Sequence, residues 1–166
     1  MPATDPLSLV YNALWEMLEA YDGFADLVKV GNRIKFAGDV RDADKRREGD
    51  KPMVGILAGG GVPQLEATSS STFLTLTYTV LLITGDQRLD AELYPLTWAI
   101  FRAISTWRTK LCALLWNEKI FVTDAWPTGY TEDLLAGAEM HGIKGWTARW
   151  SYQVRTHFTT ADLLPT

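Results

Sequence analysis

Strict alternation of side chains along residues 146–158 constrains the fold of this chain more than any other feature. One side is mostly aromatic or apolar, and it comprises Trp146, Ala148, Trp150, Tyr152, Val154, Thr156 and Phe158. The other side is polar, and it comprises Thr147, Arg149, Ser151, Gln153, Arg155 and His157. A period of two predicts a β-strand with one buried face, and at about 3.3 Å per residue it spans roughly 43 Å, against the usual length of roughly 17–20 Å. We expect such a strand to project from the domain or to carry an assembly surface.

A second long segment, residues 73–84, is apolar or β-branched on both faces. One face carries Leu74, Leu76, Tyr78, Val80 and Leu82, and the other carries Phe73, Thr75, Thr77, Thr79, Leu81 and Ile83. A strand without charge on either face is typical of a central place in a sheet, or of a surface that another subunit covers. The pattern leaves both explanations open.

Two amphipathic helices are predicted. The first begins after Asp5 as N-cap, with a proline in its first turn, and runs to about Tyr21. The second occupies about residues 90–116, where apolar side chains recur every three or four positions. Because Pro95 cannot occupy the middle turns without the loss of a hydrogen bond, the regular part is expected to begin near Tyr94.

The remaining segments are predicted to be short strands and connections. Short strands are expected at residues 33–36, 53–57 and 119–123. A solvated charged loop at residues 39–51, a glycine-rich flexible turn at 58–63 and a turn at 126–129 are expected between them. Residues 131–144 are open between a helical turn and a short strand. The sequence therefore predicts a single α+β domain over residues 1–166, with a mainly antiparallel sheet and two principal helices packed on one face.

Composition excludes several classes of protein. The net charge of −4 disfavours general affinity for nucleic acid, because binding to phosphates needs a basic face. Cys112 is the only cysteine, so the chain has no internal disulfide and no cysteine-based zinc site. The sequence has no apolar run long enough to span a membrane, and its amino terminus lacks the order of a secretory signal. We expect a soluble protein made in the cytoplasm.

Motifs of catalysis and cofactor binding are weak in this sequence. The glycines at 59–61 follow a strand, but neither a Walker lysine nor a dinucleotide fingerprint accompanies them. The acidic residues of 39–51 lack the glycine and the terminal glutamate of a calcium loop. His141 and His157 have no second ligand at a metal-binding spacing. The chain is therefore predicted not to be an enzyme and to bind no cofactor or metal.

Basic and polar side chains in two regions are the candidates for contact with partners. They are Arg41, Lys45, Arg46 and Arg47 in the charged loop, and Arg149, Gln153 and Arg155 along the last strand. The loop residues lie among acids, which favours a solvated surface over a phosphate site. The strand arginines fit two explanations equally, a contact with a partner's acids or protection of an edge strand by charge.

The order of these elements resembles that of the tail terminator proteins of long-tailed bacteriophages, also called tail completion or tail-to-head joining proteins. The resemblance covers most of the chain. It rests on the helix LSLVYNALWEMLEAY, the strand GNRIKF, the charged loop, the strand FLTLTYTVLLIT, the helix LYPLTWAIFRAISTW and the strand GWTARWSYQVRTHF.

The resemblance implies a structural virion protein that forms a hexameric ring on the end of the tail tube, stops its polymerisation and presents the head-docking surface. Its expected partners are copies of itself, the tail tube protein and a head-side neck or connector protein, with no membrane and no specific nucleic acid, although DNA can pass through the lumen. The expected location is the tail or neck of the virion. A head completion or neck protein is the close alternative. A small-molecule-binding domain or an enzyme with a pocket between helices and sheet is a more distant alternative. The most distant is a nucleic-acid-associated protein that uses the aromatic last strand as a stacking platform.

Overall fold

The computed structural model describes residues 6–34, 52–65, 71–85, 93–107, 110–111, 121–134 and 146–159. Its helices are α1 (Pro6–Glu19), the single turn α2 (Asp22–Ala25) and α3 (Tyr94–Ser105), with a short 3-10 turn at Val30–Asn32. Its strands are β1 (Arg33–Ile34), β2 (Met53–Leu65), β3 (Ser71–Ile83), β4 (Phe121–Leu134) and β5 (Trp146–Thr159). The predicted loop at 39–51 and the N-cap Asp5 lie outside the described residues.

The five strands form one sheet in the order β1-β2-β3-β5-β4. The four long strands pair antiparallel, and the two-residue β1 adds a parallel pairing to β2. The pairing of β3 with β5 continues without a shift from Ser71 opposite Thr159 to Ile83 opposite Thr147. These two strands are the regular centre of the sheet, and β4 is an edge strand. The predicted α+β class with a mainly antiparallel sheet is confirmed.

The described helices pack on one face of the sheet, which we call the inner face. The core joins Leu14 and Leu18 of α1, Phe24 of α2 and Ile100 of α3 to inward-facing residues of the strands. Tyr152 of β5 is fully buried, and its ring meets the edge of Trp107 at a centroid distance of 4.7 Å. Such an edge-to-face pair contributes about 0.5–1.5 kcal/mol beyond the burial of its area. The prediction of two principal helices on one sheet face is confirmed.

The alternation predicted for β5 agrees with the burial of its side chains. Four of the predicted inward residues are buried and one is half-buried: Ala148, Tyr152, Val154 and Thr156, with Trp150 at the rim. The side chains of Trp146 and Phe158 lie outside the described part. Thr147 was expected to face water and is buried, because it stands at the strand end beside Ile83 and donates a hydrogen bond to the carbonyl oxygen of Asp133 at 3.3 Å.

Two predicted turns are wrong, because both segments continue their strands. The glycine-rich segment 58–63 belongs to β2, which pairs with β3 as far as Leu65 and takes up an extra residue in a bulge between Ala58 and Gly60. The segment 126–129 belongs to β4, which has a bulge between Pro127 and Gly129. Bulges let glycine and proline remain within a strand by breaking the regular ladder locally. The predicted strand 119–123 is thus the start of a longer one, and the open segment 131–144 begins as strand.

The second helix is shorter in its described part than predicted. It begins at Tyr94, as the position of Pro95 predicts, and ends at Ser105. Thr106 follows as a turn, and Trp107 is helical again and fully buried. The predicted continuation to residue 116 falls mostly outside the described residues.

Candidate functional site

The outer face, which is the sheet face opposite the helices, holds the strand residues that the sequence marks as candidates. Arg149, Gln153 and Arg155 occupy alternate positions of β5 on this face. Their register with β3 places them opposite Leu81, Thr77 and Thr75. The loop candidates Arg41, Lys45, Arg46 and Arg47 lie outside the described residues.

The middle of the outer face is polar but carries little charge. Its residues are Thr75, Thr77 and Thr79 on β3, and Ser151 and Gln153 on β5. Ser151 is exposed and the others are half-buried. Hydroxyl and amide groups can pair with the polar groups of another protein without the desolvation that charged groups would require. This part of the sheet is therefore suited to a protein contact.

Arg155 is held in place by its neighbours on the outer face. Its guanidinium lies over the ring of Phe73, with the Cζ atom 4.5 Å from the ring centroid. The ring of His157 lies 4.8 Å from that of Phe73. Across the other strand pair, Asp124 of β4 is the residue in register with Arg155. Because this arginine is half-buried and stacked, it contributes more to the order of its own surface than to a mobile contact.

Arg149 differs from Arg155 in its exposure. Its cross-strand neighbours are Leu81 on β3 and Thr131 on β4, and neither carries a charge. Its side chain is exposed to solvent. This guanidinium is therefore the more available of the two for a partner.

The apolar end of the outer face is buried within the chain itself. Met53, Leu81 and Ile83 form a second cluster, with Leu57 packed against it. One of the two explanations left open for the apolar outer side of β3 is a central place in the sheet, and β3 has that place. Leu81 and Ile83 do not require another subunit to cover them.

A groove lies between the first turns of α1 and the glycine segment of β2. It has a volume of about 420 Å³ and is lined by Leu7, Ser8, Tyr11, Ala58, Gly60, Gly61, Leu74, Leu76, Thr77 and Tyr78. The groove is open because Gly61 has no side chain. A Cβ atom at this position would lie only 2.9 Å from Leu76 Cδ2. The Tyr11 hydroxyl donates a hydrogen bond to the carbonyl oxygen of Ile56 at 3.1 Å and ties α1 to β2 beside the groove.

A second recess, which we call the aromatic cleft, lies on the inner face where α3 meets β4 and β5. It has a volume of about 390 Å³ and is lined by Tyr94, Thr97, Trp98, Phe101, Tyr130, Glu132 and Trp150. The centroid of the Trp150 ring lies 5.0 Å from that of Phe101 and 4.4 Å from that of Tyr130. The ring centroids of Phe101 and Trp98 are 5.6 Å apart. Its outermost rings are unusually open, since Trp98 is 60% exposed and Tyr94 is 47% exposed.

Electrostatics in the aromatic cleft centre on Tyr130 and Glu132. The Tyr130 hydroxyl donates a hydrogen bond to Glu132 Oε1. Partial burial, together with this hydrogen bond, raises the pKa of Tyr130 to about 12. The phenol is protonated at neutral pH, and its hydrogen bond holds the carboxylate in position at the edge of the cleft.

The sequence interpretation missed the aromatic cleft. Tyr130 and Trp150 face each other only because β4 and β5 pair in this register, which no local pattern reveals. One signal was present, because Trp98 and Phe101 lie outside the apolar stripe that predicts the buried side of α3. Large aromatic residues on the far side of an amphipathic helix indicate a contact surface.

Features of metal or catalytic chemistry are sparse in the part of the chain that the structure describes. Within these residues no group of three His, Cys, Asp or Glu side chains is placed to hold a metal ion. Burial raises the pKa of the Tyr78 phenol and, with the charge of Asp124, that of Tyr152, so both stay neutral under ordinary conditions. His141 and Cys112 lie outside the described residues.

Comparison with known proteins adds no family to this geometry. The chain matches no protein-family model, and no curated protein matches it significantly. Among the helices that the structure describes, none has both the length and the apolar composition that crossing a bilayer requires.

Proposed function

We propose that this protein is a structural subunit that forms a ring of six copies, caps the tail tube of a long-tailed bacteriophage, stops tube polymerisation and presents the surface on which the head docks. The observation that carries the proposal is the excess of strand length over helix length. The long strands have 13, 13, 14 and 14 residues, whereas α1 has 14 and α3 has 12. At the usual rise per residue, the strands span about 43–47 Å and the helices about 18–21 Å.

Among the described residues, helices of this length leave parts of the inner face open. The groove beside Leu7 and the aromatic cleft beside Trp98 lie at the margins of the helical layer. The polar middle of the outer face has none of the described helices on it. The subunit thus presents different surfaces on its two sides, and such a pair of surfaces can make the heterologous contacts that close a ring.

The resemblance of the element order to tail terminators supports this class over other ring-forming proteins. A terminator requires a surface for copies of itself and others for the tube and for the head, and it requires no catalytic group. A head completion or neck connector protein has similar requirements, so it is the alternative within the same class. The two differ in their partner, since a terminator binds the free end of a tail tube.

A second candidate, a small-molecule-binding domain, is favoured by one observation. The groove and the aromatic cleft measure about 420 and 390 Å³, within the range of roughly 300–1,000 Å³ that ligand pockets occupy. A small molecule that binds a purified monomer stoichiometrically would favour this candidate, particularly if no assembly forms at any concentration.

The experiment that tests the proposal is a measurement of mass in solution, by light scattering after size exclusion, with and without tail tubes. Six copies of the 18.6 kDa chain give about 112 kDa (6 × 18.6), and we expect this species either alone at high protein concentration or on the ends of added tubes. Electron microscopy should show one ring at a tube end, and capped tubes should stop growing when more tube protein is added. A protein that remains monomeric at high concentration and neither binds tube ends nor arrests their growth contradicts the proposal.

A separate arm distinguishes the terminator from the neck connector. Capped tails and bare tails are mixed with DNA-filled heads, and joined particles are counted. If the protein binds heads but not tube ends, the neck protein is the correct member of the class.

A further inference from the structure

The aromatic cleft has the composition of a site for an organic cation. Its walls are aromatic rings, and a carboxylate, that of Glu132, stands at its edge. Guanidinium and ammonium groups are attracted to the faces of such rings, most strongly to tryptophan. No lysine or arginine among the described residues lines the cleft, so this part of the chain does not fill it with a cation of its own.

Glu132 has the capacity to accept a second hydrogen bond. One of its oxygens accepts the hydroxyl proton of Tyr130, and a carboxylate has two oxygens with about four acceptor sites. An arginine is the best match, because its planar guanidinium can stack on an aromatic ring while its N–H groups reach a carboxylate.

Arg149 lies directly behind the aromatic cleft, on the other side of the sheet. It precedes Trp150 in β5, and successive residues of a strand point to opposite faces. Trp150 contacts Phe101 on the inner face, whereas Arg149 is exposed on the outer face. A cleft lined by aromatic rings and a carboxylate, and an exposed guanidinium, therefore stand back to back at one point of the subunit.

We propose that the aromatic cleft of one subunit receives the Arg149 guanidinium of the next subunit. The proposal rests on the ring-forming function above and names the contact that closes the ring. Placing the outer face of one subunit against the cleft at the margin of its neighbour's helical layer brings the two groups together. Repetition of this heterologous contact closes a ring when the rotation between neighbouring subunits closes. Trp98 and Tyr94 become covered in this contact, which explains their exposure in the single chain.

The test is an exchange of charges across the contact. Arg149→Glu and Glu132→Arg are each expected to raise the concentration at which half of the protein is assembled by at least about tenfold, because each places like charges together. The double variant restores the pair in reverse orientation and should recover most of the loss. Lys29→Glu and Glu16→Arg are matched controls, since both residues are exposed and neither lines the cleft.

A second readout follows the cleft itself. The emission of exposed Trp98 should shift to shorter wavelength when subunits assemble, and Trp98→Phe should remove that part of the shift. Thermal unfolding of each variant verifies that it is folded, and we expect midpoints close to that of the unchanged chain because all substituted residues are exposed.

The outcomes separate this contact from the function on which it rests. If the unchanged chain forms rings and Arg149→Glu forms them equally well, the contact is wrong and the ring-forming function stands. Equal loss in the double variant and the single variants also contradicts the pairing. If the unchanged chain neither assembles nor binds tube ends, the proposed function fails, and the contact fails with it.

Discussion

Tyrosine hydroxyl groups on the inner face have contrasting surroundings, although their rings pack in the same core. Tyr152 is fully buried, and its hydroxyl has no hydrogen-bond partner within the described structure. The Tyr11 hydroxyl instead donates to the carbonyl oxygen of Ile56. A buried polar group without a partner carries its full desolvation cost, of about 1–3 kcal/mol, whereas a satisfied one stabilises by about 1 kcal/mol.

Removal of one oxygen atom is therefore expected to have opposite effects at these two positions. Tyr152→Phe should increase the free energy of unfolding by about 1 kcal/mol and raise the melting temperature by about 2–4 °C. Tyr11→Phe should lower both by similar amounts, because it removes a bond to the backbone of β2. Denaturant titration and calorimetry measure both changes. Equal destabilisation of the two variants would show that the Tyr152 hydroxyl has a partner.

Tyr130 makes the stability of the fold depend on pH in the alkaline range. Its pKa is about 12 in the folded protein and near the ordinary tyrosine value of 10.0 in the unfolded chain. Between these values the unfolded chain loses this proton first, so its contribution to stability is complete below pH 10 and is lost as the pH rises towards 12. We expect the melting temperature of Tyr130→Phe to fall less over this interval. Ultraviolet absorption of tyrosinate should show that the variant has one fewer tyrosine that ionises near pH 12.

At the scale of the elements, the glycine segment of β2 shows how a strand passes through residues that usually end one. Gly60 has a φ of +94°, which an L side chain rarely adopts, and it follows the bulge at Gly59. The Thr77 hydroxyl donates a hydrogen bond to the Gly60 carbonyl oxygen at 3.2 Å and holds the bulge against β3. The pairing of β2 with β3 beyond the bulge, from Gly60 to Leu65, depends on this conformation.

Gly60→Ala is expected to destabilise the protein by about 1–2 kcal/mol, because the new Cβ finds free space but the backbone is strained. Gly31→Ala is the matched control. Space is also free around Gly31, and no positive φ is required there, so we expect a change near zero. Chemical denaturation compares the two variants. A similar loss of stability in both variants would show that backbone strain at Gly60 is not the cause.

The sequence predicts the regular elements well and the irregular ones poorly. The two-residue period of β5 and the helical period of α3 are repeated signals, and they give the correct type and face of each element. The extension of β2 and β4 through 58–63 and 126–129 depends instead on hydrogen bonds to a neighbouring strand, which override the local preference of glycine and proline. The local sequence does not reveal which strand a segment pairs with.

The same distinction applies to the candidate surfaces. Arg149, Gln153 and Arg155 share the outer face, as alternation along one strand predicts. The partners that differentiate them, such as Phe73 under the Arg155 guanidinium, come from another strand and depend on its register. The aromatic cleft combines α3, β4 and β5 and was missed for that reason.

At the scale of the whole molecule, the two sides of the sheet present different chemistry. The inner face is apolar, and the described helices that cover part of it are shorter than the strands. The outer face is polar in its middle, with Ser151 exposed between Arg149 and Gln153. If the outer face stacks on a neighbouring subunit, a large side chain at its centre prevents close approach without disturbing the core.

Ser151→Arg is therefore expected to weaken assembly by at least tenfold, since packing at an interface leaves no room for the added atoms. Its melting temperature should stay within about 2 °C of the unchanged chain, because surface substitutions usually change stability by less than about 0.5 kcal/mol. Ala20→Arg adds the same side chain at an exposed position after α1 and serves as the control. Light scattering over a range of protein concentrations measures assembly for all three proteins. If Ser151→Arg assembles as the control does, the outer face lies outside the ring contact, and the excess strand length must serve the tube or the head instead.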